Sequence, residues 1–265
     1  VSNTGVVASD VTGVGTARDW LAACEYGNSR GIFAYGGTGS SVATSNLVTD
    51  QGVVGADIAG VGTARIELCA ATFGGTQGIF AFGSAASGYT GVTNLVSNTG
   101  VVGTDVAAVG TARGYAAGCE FAANKDKCIL AFGHDGSRTA VSNLVSNTGV
   151  VASDVTGVGT ARHALAACGF GADKGIFGFG NAASGLTAIT NLVSNVGVVA
   201  TDTTGVGTAR QRAAATQYGE DKGIFGGGDG PVGMTNLVSN AGVVATDVTA
   251  VMTAREKLAA CSYGN

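Results

Sequence analysis

The apolar residues of this chain fall into short runs that are separated by glycine, threonine, serine and asparagine. Residues 32–35 and 243–245 are typical runs, and turn-forming residues lie on both sides of each. Short apolar runs between such residues predict many short β-strands. No apolar run approaches the roughly 18 residues that a membrane-spanning helix needs, so the sequence predicts no membrane span.

The same pattern of runs recurs six times along the 265 residues. A Thr-Ala-Arg triplet marks each copy, and Asn-Leu-Val and Gly-Ile-Phe triplets recur with the same spacing. The period is about 48 residues, in the range of propeller blades and longer than most solenoid repeats. The triplets end at Arg18, Arg65, Arg113, Arg162, Arg210 and Arg255.

Each period contains four strand-like runs, which we call strands a to d. In the period of Arg162 they are residues 164–170, 175–179, 191–194 and 198–204, and an Asx-x-Gly turn joins c to d. Such turns favour tight antiparallel hairpins. We therefore predict one all-β domain over residues 1–265, a six-bladed β-propeller of four-stranded antiparallel blades. A parallel β-helix is less favoured, because its coils need only roughly 20 residues.

The two ends of the chain are expected to share one blade. Residues 1–12 supply strands c and d, and residues 258–263 supply strand a, so the two termini would close the ring. The small side chains of strand a predict that it lies innermost. Strand b is missing from this blade. We expect a segment resembling Gly-Ile-Phe-Ala-Phe-Gly beyond residues 1–265, with a strand from a partner chain as the alternative.

An aspartate precedes the arginine by eight residues in every period, as Asp154 precedes Arg162. A ring of charge that binds an anion is one interpretation. Six copies favour the other, a structural pair repeated in each blade, because regularity at this level is typical of packing in repeat proteins. We therefore expect Arg162→Ala to destabilise its blade.

The six cysteines point to packing sites rather than to metal or disulfide chemistry. Four of them follow the repeat arginine by six residues, and Ala71 and Thr216 take the same place in the other periods, which predicts a small buried site. No Cys-x-x-Cys pair occurs and the chain has two histidines, so we expect free thiols and no zinc site. A Cys119–Cys128 disulfide is the alternative. The four equivalent residues are Cys24, Cys119, Cys168 and Cys261.

The composition and the motifs exclude several functions. With a net charge of −4 and no cluster of lysine and arginine, the sequence does not favour nucleic-acid binding. It contains no Gly-x-Ser-x-Gly, Walker or His-containing catalytic motif, so we expect neither enzymatic activity nor a cofactor.

The b–c loops are the least regular segments of the repeat. They are residues 37–45, 84–93, 134–142, 181–190 and 229–235. Variable loops on a regular scaffold often carry recognition, although drift of unconstrained surface loops would give the same pattern. In a propeller blade the b–c and d–a turns share one face, so we predict a binding face there. The candidate binding residues are Tyr89, His134, Asp135, Arg138 and Asp229.

An arginine before an inner strand, followed by an apolar strand that ends in glycine, resembles the kelch repeat of β-propellers. The outer-strand Trp and Tyr of kelch are absent here. The whole period is more similar to kelch-like repeat proteins of aquatic bacteriophages, on residues 190–202, residues 207–210 and residues 223–228. Cys168 and Gly169 before residues 177–180 give a weaker resemblance to propellers of the chromosome-condensation-regulator type, whose usual His after Cys-Gly is absent.

The phage resemblance implies a non-enzymatic structural or receptor-binding component of a phage particle, of the tail-fibre or decoration type. Its expected location is the virion. Its expected partner is a host-surface receptor or a neighbouring virion protein, and homo-oligomerisation within an assembly is left open. The alternatives are a cellular kelch-type protein-interaction propeller and a sugar-binding propeller.

Overall fold

The computed structural model describes residues 1–249 and 252–264, and its fold is all-β. Five three-stranded antiparallel sheets follow one another along the chain, each with strand b between strands a and c. In chain order, the sheets consist of Ala22–Tyr26, Arg30–Ala34 and Ser45–Val48; Cys69–Phe73, Gln77–Ala81 and Thr93–Val96; Ala117–Phe121, Lys127–His134 and Arg138–Val145; Ala166–Phe170, Lys174–Gly178 and Thr190–Val193; and Ala214–Tyr218, Lys222–Gly226 and Thr235–Val238. We number them sheets 1 to 5.

Shorter elements occupy some of the connections. A 3-10 turn, Ala123–Lys125, joins strands a and b of sheet 3. Two small hairpins lie in b–c loops, Ser84–Ala85 with Gly88–Tyr89 and Asn181–Ala182 with Gly185–Leu186; Arg162–His163 pairs with the second. No helix in the described part of the chain has the length and apolar character needed to cross a bilayer.

In sheet 4 the predicted strands a, b and c agree with the structure to within two residues, but the predicted strand d is wrong. In sheet 4 the segment at residues 198–204 forms only two isolated bridges, Val193 with Val199 and Thr190 with Thr203. Between the bridges, the side-chain Nδ2 of Asn191 donates to the carbonyl of Ala200 at 3.0 Å. The backbone N–H of Ala200 still donates to the carbonyl of Leu192 at 2.8 Å, so a side chain supplies one of the bonds that a regular ladder would form. The sheets are three-stranded with a bridged outer segment.

The residues expected to share a sixth blade do not form a sheet. Neither residues 258–263 nor residues 1–12 form a strand. The turn at the start of the chain is the same as in the other repeats, with the N–H of Ser2 donating to Val6 at 2.9 Å. The N–H of Thr253 donates to Asp10 at 3.1 Å, and Arg255 forms an ion pair with the same carboxylate. The two ends of the described chain are thus in direct contact.

Six backbone hydrogen bonds form a closed ring at the residue that lies two positions after each repeat arginine. Each N–H donates to the carbonyl of the equivalent residue in the neighbouring repeat, at 2.8–3.2 Å, and the last bond joins Trp20 to Lys257. All six residues have a positive φ, between 54° and 60°. The ring is formed by Trp20, Glu67, Tyr115, Ala164, Arg212 and Lys257.

Strand a is the innermost strand, as its small side chains predicted. The a segments of all six repeats line one narrow cavity of about 60 Å³, with Ala23, Ala70 and Gly118 among the lining residues. Glu25, Glu120 and Gln217 line the same cavity. All six cysteines are free thiols, as expected from the sequence, and five of them are buried.

In sheets 2 to 5 the repeat arginine is buried and ties the outer segments of its sheet together, whereas Arg18 is half-buried and Arg255 is exposed. In sheet 2, Arg65 is fully buried and donates to the carbonyl of Phe82 at 2.9 Å and to Oδ1 of Asn94 at 2.7 Å. The same Asn94 donates to Asp105 at 2.9 Å, and Asp105 accepts from the hydroxyl of Thr63 at 2.6 Å. The Thr-Ala-Arg and Asn-Leu-Val motifs and the aspartate therefore form one network.

The structural role predicted for the aspartates and arginines is confirmed, but the predicted pairing is wrong. Arg162 does not pair with Asp154, which instead accepts from Thr111. The carboxylate nearest to Arg162 in its own sheet is Asp202, which accepts from Thr160. Sequence spacing alone suggested the aspartate that is eight residues away. The fold brings together the one that follows about forty residues later.

Each buried arginine also contacts the preceding sheet. The guanidinium of Arg65 lies 4.2 Å from the ring centroid of Tyr35, and that of Arg162 lies 4.3 Å from Phe132. Arg113 and Arg210 stack in the same way on Phe82 and Phe179. Stacking of guanidinium on an aromatic face is favourable, most of all when both groups are desolvated. The arginine therefore links neighbouring sheets as well as the strands of its own.

We predict that Arg162→Ala lowers the free energy of unfolding by about 3 kcal/mol, because it removes the buried donor to the carbonyls of Phe179 and Thr160. Urea denaturation measures the change. Arg30→Ala is the matched control, since Arg30 is exposed and its loss should change stability by less than about 0.5 kcal/mol. Equal effects of the two substitutions would contradict the structural role.

We predict that acid weakens the fold through the repeated aspartates. Burial would raise the pKa of Asp105, but hydrogen bonds from Thr63 and Asn94 outweigh it and hold the pKa below 3.8. A carboxylate with a lowered pKa stabilises the fold above its unfolded pKa, and this stabilisation is lost as the pH falls through the folded pKa. Asp105→Asn should therefore be less stable than the parent at pH 7, and the difference should shrink towards pH 3. A difference that is constant with pH would refute this.

Candidate functional site

The two positions after each repeat arginine lie on the same face as the b–c loops. Bridges join Asp19 to Gly37, Ile66 to Ser84 and Gly114 to His134. The predicted arrangement of b–c and d–a turns on one face is therefore confirmed at these positions. We call the six ring residues, the residue before each and the b–c loops the loop face.

Aromatic side chains from separate repeats meet on the loop face. The ring centroids of Trp20 and Tyr115 are 5.1 Å apart, and those of Tyr115 and His163 are 5.4 Å apart. His134 continues the series at 5.5 Å from His163, and Tyr89 lies 5.9 Å from His134. All these pairs are edge-to-face, the arrangement that the charge distribution of aromatic rings favours. The result is one continuous patch of half-buried rings.

Charged side chains adjoin the aromatic patch. The guanidinium of Arg212 and the ammonium of Lys257 each lie 5.0 Å from the ring of Trp20. Arg212 also pairs with Asp229 at 3.1 Å and with Glu256 at 3.7 Å. Ion pairs at this degree of exposure contribute little to stability. The loop face thus combines cations, carboxylates and aromatic rings within a small area.

The surroundings of the patch shift the pKa values of its titratable groups. Burial raises the pKa of Glu67, and burial together with the neighbouring Glu67 raises the pKa of Tyr115. Burial lowers the pKa of His163 to about 4, and the nearby charges of Arg138 and His134 add to the shift. His163 is therefore neutral at pH 7, and its ring belongs to the apolar part of the patch.

Of the five residues predicted from the sequence, the structure brings Tyr89 and His134 into contact and places Asp229 and Arg138 at two other positions on the loop face. Tyr89 and His134 are joined by a contact of 3.3 Å between the hydroxyl and Nδ1. Asp229 lies with Arg212, on the charged side of the face. Arg138 donates to the backbone carbonyl and side-chain oxygen of Asn181 in the next b–c loop.

Asp135 is the predicted residue that the structure separates from the patch. Its carboxylate accepts from the backbone N–H of Ser137 at 3.1 Å and from the hydroxyl of Ser137 at 3.2 Å. The side chain thus stabilises its own turn, in the way that aspartate commonly does.

Five residues that were not predicted from the sequence form the centre of the face: Trp20, Glu67, Tyr115, Arg212 and Lys257. The sequence does contain a feature that marks these five residues. The two positions after the Thr-Ala-Arg triplet, which is identical in all six repeats, hold a different pair in every repeat. That variation resembles the variation of the b–c loops, but a two-residue segment between two regular motifs is easily taken for part of strand a.

The loop face offers a shallow recess rather than a deep pocket. A cavity of about 80 Å³ lies at its centre, between Trp20, Tyr115 and Arg212. No group of three or more His, Cys, Asp or Glu side chains that could hold a metal ion occurs among residues 1–249 and 252–264. In comparisons with known proteins, no family model matches the sequence, and no curated protein matches it either.

We predict that His163 titrates with a midpoint near pH 4, because its ring is half-buried beside other cations. The imidazole signals in NMR spectra recorded across pH 3–8 measure the midpoint. Arg138→Ala should raise it, since one neighbouring positive charge is removed. A midpoint near 6.5, the value of an unperturbed histidine, would contradict the described packing of the aromatic patch.

Proposed function

We propose that the chain is a six-bladed β-propeller closed by its two ends, and that it is a non-enzymatic binding component of a phage particle. In this proposal the loop face recognises a host-surface receptor or a neighbouring virion protein. The observation that carries the proposal is the convergence of Trp20, Glu67, Tyr115, Arg212 and Lys257 on one face from five different repeats.

The closed ring of six backbone hydrogen bonds supports the propeller. In a ring of this kind, each repeat must contact two neighbours, and the first repeat must contact the last. The bond from Trp20 to Lys257 and the ion pair of Asp10 with Arg255 are contacts of this kind. An open solenoid would leave its terminal repeats without such contacts.

The chemistry of the loop face supports binding. Aromatic residues and arginine are enriched at the centres of protein interfaces, where they provide large rigid contact areas. Trp20, Tyr115 and Arg212 have this chemistry, and all three are half-buried on a rigid ring. Their ion pairs and stacking hold the side chains in place before a ligand arrives, which reduces the entropy that binding costs.

We propose a phage particle because the repeat resembles kelch-like proteins of aquatic bacteriophages. Gly, Thr and Val-rich repeats that form small sheets around a ring suit a rigid, exposed particle protein. Sugar binding is the second candidate. Trp20 and Tyr115 next to Glu67 and Arg212 provide aromatic rings and charged hydrogen-bonding groups, which together suit a glycan with apolar and polar faces.

Binding to host cells tests the proposal when the parent protein is compared with two loop-face variants. One variant combines Trp20→Ser, Tyr115→Ser and Arg212→Ser, and the other replaces residues 134–138 with glycine and serine. We expect at least a tenfold loss of cell binding from each, about 1.4 kcal/mol, and nearly unchanged melting temperatures. Arg30→Ser with Lys174→Ser, at the opposite turns, is the control and should bind as the parent does.

The outcomes separate the parts of the proposal. Immunogold labelling of purified phage particles with an antibody to this chain should mark the virion; label confined to cells would refute the phage assignment. Full cell binding by both loop-face variants would show that the binding site lies on another surface. Retention on a glycan array that a free sugar abolishes would favour the sugar-binding candidate over a protein receptor.

A further inference from the structure

Polar residues form a ring inside the narrow cavity that the a segments line. Each repeat contributes the residue seven positions after its arginine, and five of the six residues line the cavity of about 60 Å³. Strand a begins beside the hydrogen-bonded residues of the loop face and ends at the a–b turn, so these residues lie at the end that is remote from the loop face. We call them the polar ring: Glu25, Thr72, Glu120, Gly169, Gln217 and Ser262.

One lysine reaches the polar ring from a loop that is longer than its equivalents. The a–b loop of sheet 3 has five residues, whereas the a–b loops of the other four sheets have three. The longer loop forms the 3-10 turn that carries Lys125, whose ammonium pairs with the carboxylate of Glu25 in sheet 1. The N–H of Gly75 in sheet 2 donates to the carbonyl of Lys125 at 3.2 Å and holds the loop there. The lysine therefore links sheet 3 to sheet 1 across sheet 2.

The charges at the polar ring do not balance. Glu25 and Glu120 provide two carboxylates, and Lys125 provides one ammonium, which pairs with Glu25 rather than with Glu120. Burial would lower the pKa of Lys125, but the two carboxylates outweigh it and raise the pKa, so the lysine is charged at neutral pH. Burial also raises the pKa of Glu120. A desolvated carboxylate without a counter-charge is costly, so the ring requires one more positive charge.

Gln217 provides an independent indication of a missing ligand. It is only 7% exposed, and its Oε1 is buried without a hydrogen-bond partner among the described residues. A Cβ atom added to Gly169 would lie 2.4 Å from Nε2 of Gln217 and 2.7 Å from Oε1 of Glu120. The amide and the carboxylate therefore share the space that the glycine leaves free, beside the cavity. A buried oxygen without a donor is unfavourable, and a ligand that it could coordinate would remove this cost.

A small cation satisfies the unbalanced charge and the unpaired oxygen at once. A proton on Glu120 would remove the charge, but it would leave Oε1 of Gln217 without a partner, because Nε2 is the atom turned towards Gly169 and Glu120. Carboxylate and amide oxygens are ligands for hard cations, and a single unbalanced charge suits a monovalent ion better than a divalent one. The cavity of about 60 Å³ is larger than the roughly 10–15 Å³ that one water molecule needs.

We propose that the polar ring binds one monovalent alkali cation, potassium or sodium, through the carboxylate of Glu120 and Oε1 of Gln217. Lys125 neutralises Glu25, and the bound ion neutralises Glu120. The ion joins sheet 3 to sheet 5 across Gly169 of sheet 4, as Lys125 joins sheet 3 to sheet 1 across sheet 2. Its role is to hold the a segments together at the end of the cavity where their carboxylates converge.

Thermal unfolding of the full chain in the chlorides of potassium, sodium and choline, at equal ionic strength and neutral pH, tests the proposal. Choline carries the same charge but is too bulky for direct coordination by these oxygens. We expect the melting temperature in potassium or sodium to exceed that in choline by about 3 °C or more, since a ligand of the folded state stabilises it. Equilibrium dialysis should show that the preferred ion binds once per chain.

Matched variants locate the ion. Glu120→Gln keeps the shape of the side chain and removes its charge, so it should abolish the difference between the alkali salts and choline. Glu220→Gln, at an exposed glutamate in the a–b loop of sheet 5, is its control and should retain the difference. Lys125→Met removes the internal cation and should lower the ion concentration for half-maximal stabilisation at least tenfold. Lys127→Met, at an exposed lysine of the same region, should leave that concentration unchanged.

Two outcomes would overturn the proposal. Equal melting temperatures of the parent chain in all three salts would favour a protonated Glu120 in place of a bound ion. An effect of potassium or sodium that persists in Glu120→Gln, or that is unchanged in Lys125→Met, would show that the ion binds elsewhere. The second variant decides the matter if the first does not fold. None of these measurements depends on the loop face, so they neither support nor weaken the proposed function.

Discussion

The repeat depends on the hydrogen bonds that surround its buried arginine. A guanidinium carries five N–H donors and cannot lose its charge at ordinary pH, so inside a sheet it must be surrounded by acceptors. Carbonyls at the end of strand b, the amide of Asn94 and the carbonyl of Thr63 provide them in sheet 2. These partners come from segments that are far apart in sequence. Satisfying one arginine therefore fixes the positions of the loop before strand a, the end of strand b and the start of strand c at once.

The same arginine couples each sheet to the one before it. Because Arg113 stacks on Phe82 and Arg210 stacks on Phe179, neither neighbour can shift without exposing a desolvated charge. The glycine of the c–d turn adds a second link. Gly100 has a φ of 83°, and a Cβ atom at this position would come within 2.9 Å of Tyr26 in the preceding sheet. Only glycine satisfies both the turn and the close approach.

The sequence predicted those features that depend on neighbouring residues and recur in every repeat. Strands a, b and c could be predicted because apolar runs and turn residues recur with one period, and the free cysteines followed from their exchange with Ala71 and Thr216. The irregular pairing of strand d could not be predicted, because it involves a hydrogen bond from the side chain of Asn191 to the carbonyl of Ala200. The partner of Arg162 could not either, since spacing along the chain does not determine which of two equivalent aspartates lies nearby. Within the loop face, Tyr89 and His134 were predicted, whereas Trp20 and Tyr115 were not, because their convergence exists only once the repeats are arranged in a ring.

The six ring residues have a consequence for how such a surface can change. Each has a positive φ, a conformation that costs a residue other than glycine of order 1 kcal/mol or more. Glycine would be the less strained choice, yet these positions hold tryptophan, glutamate, tyrosine, alanine, arginine and lysine. The backbone there is held by hydrogen bonds that do not involve the side chains, so the side chains can be exchanged without altering the scaffold. The fold thus separates the residues that differ between repeats from the residues that hold the scaffold, and it offers a protein engineer six adjacent positions at which a library of new specificities could be built.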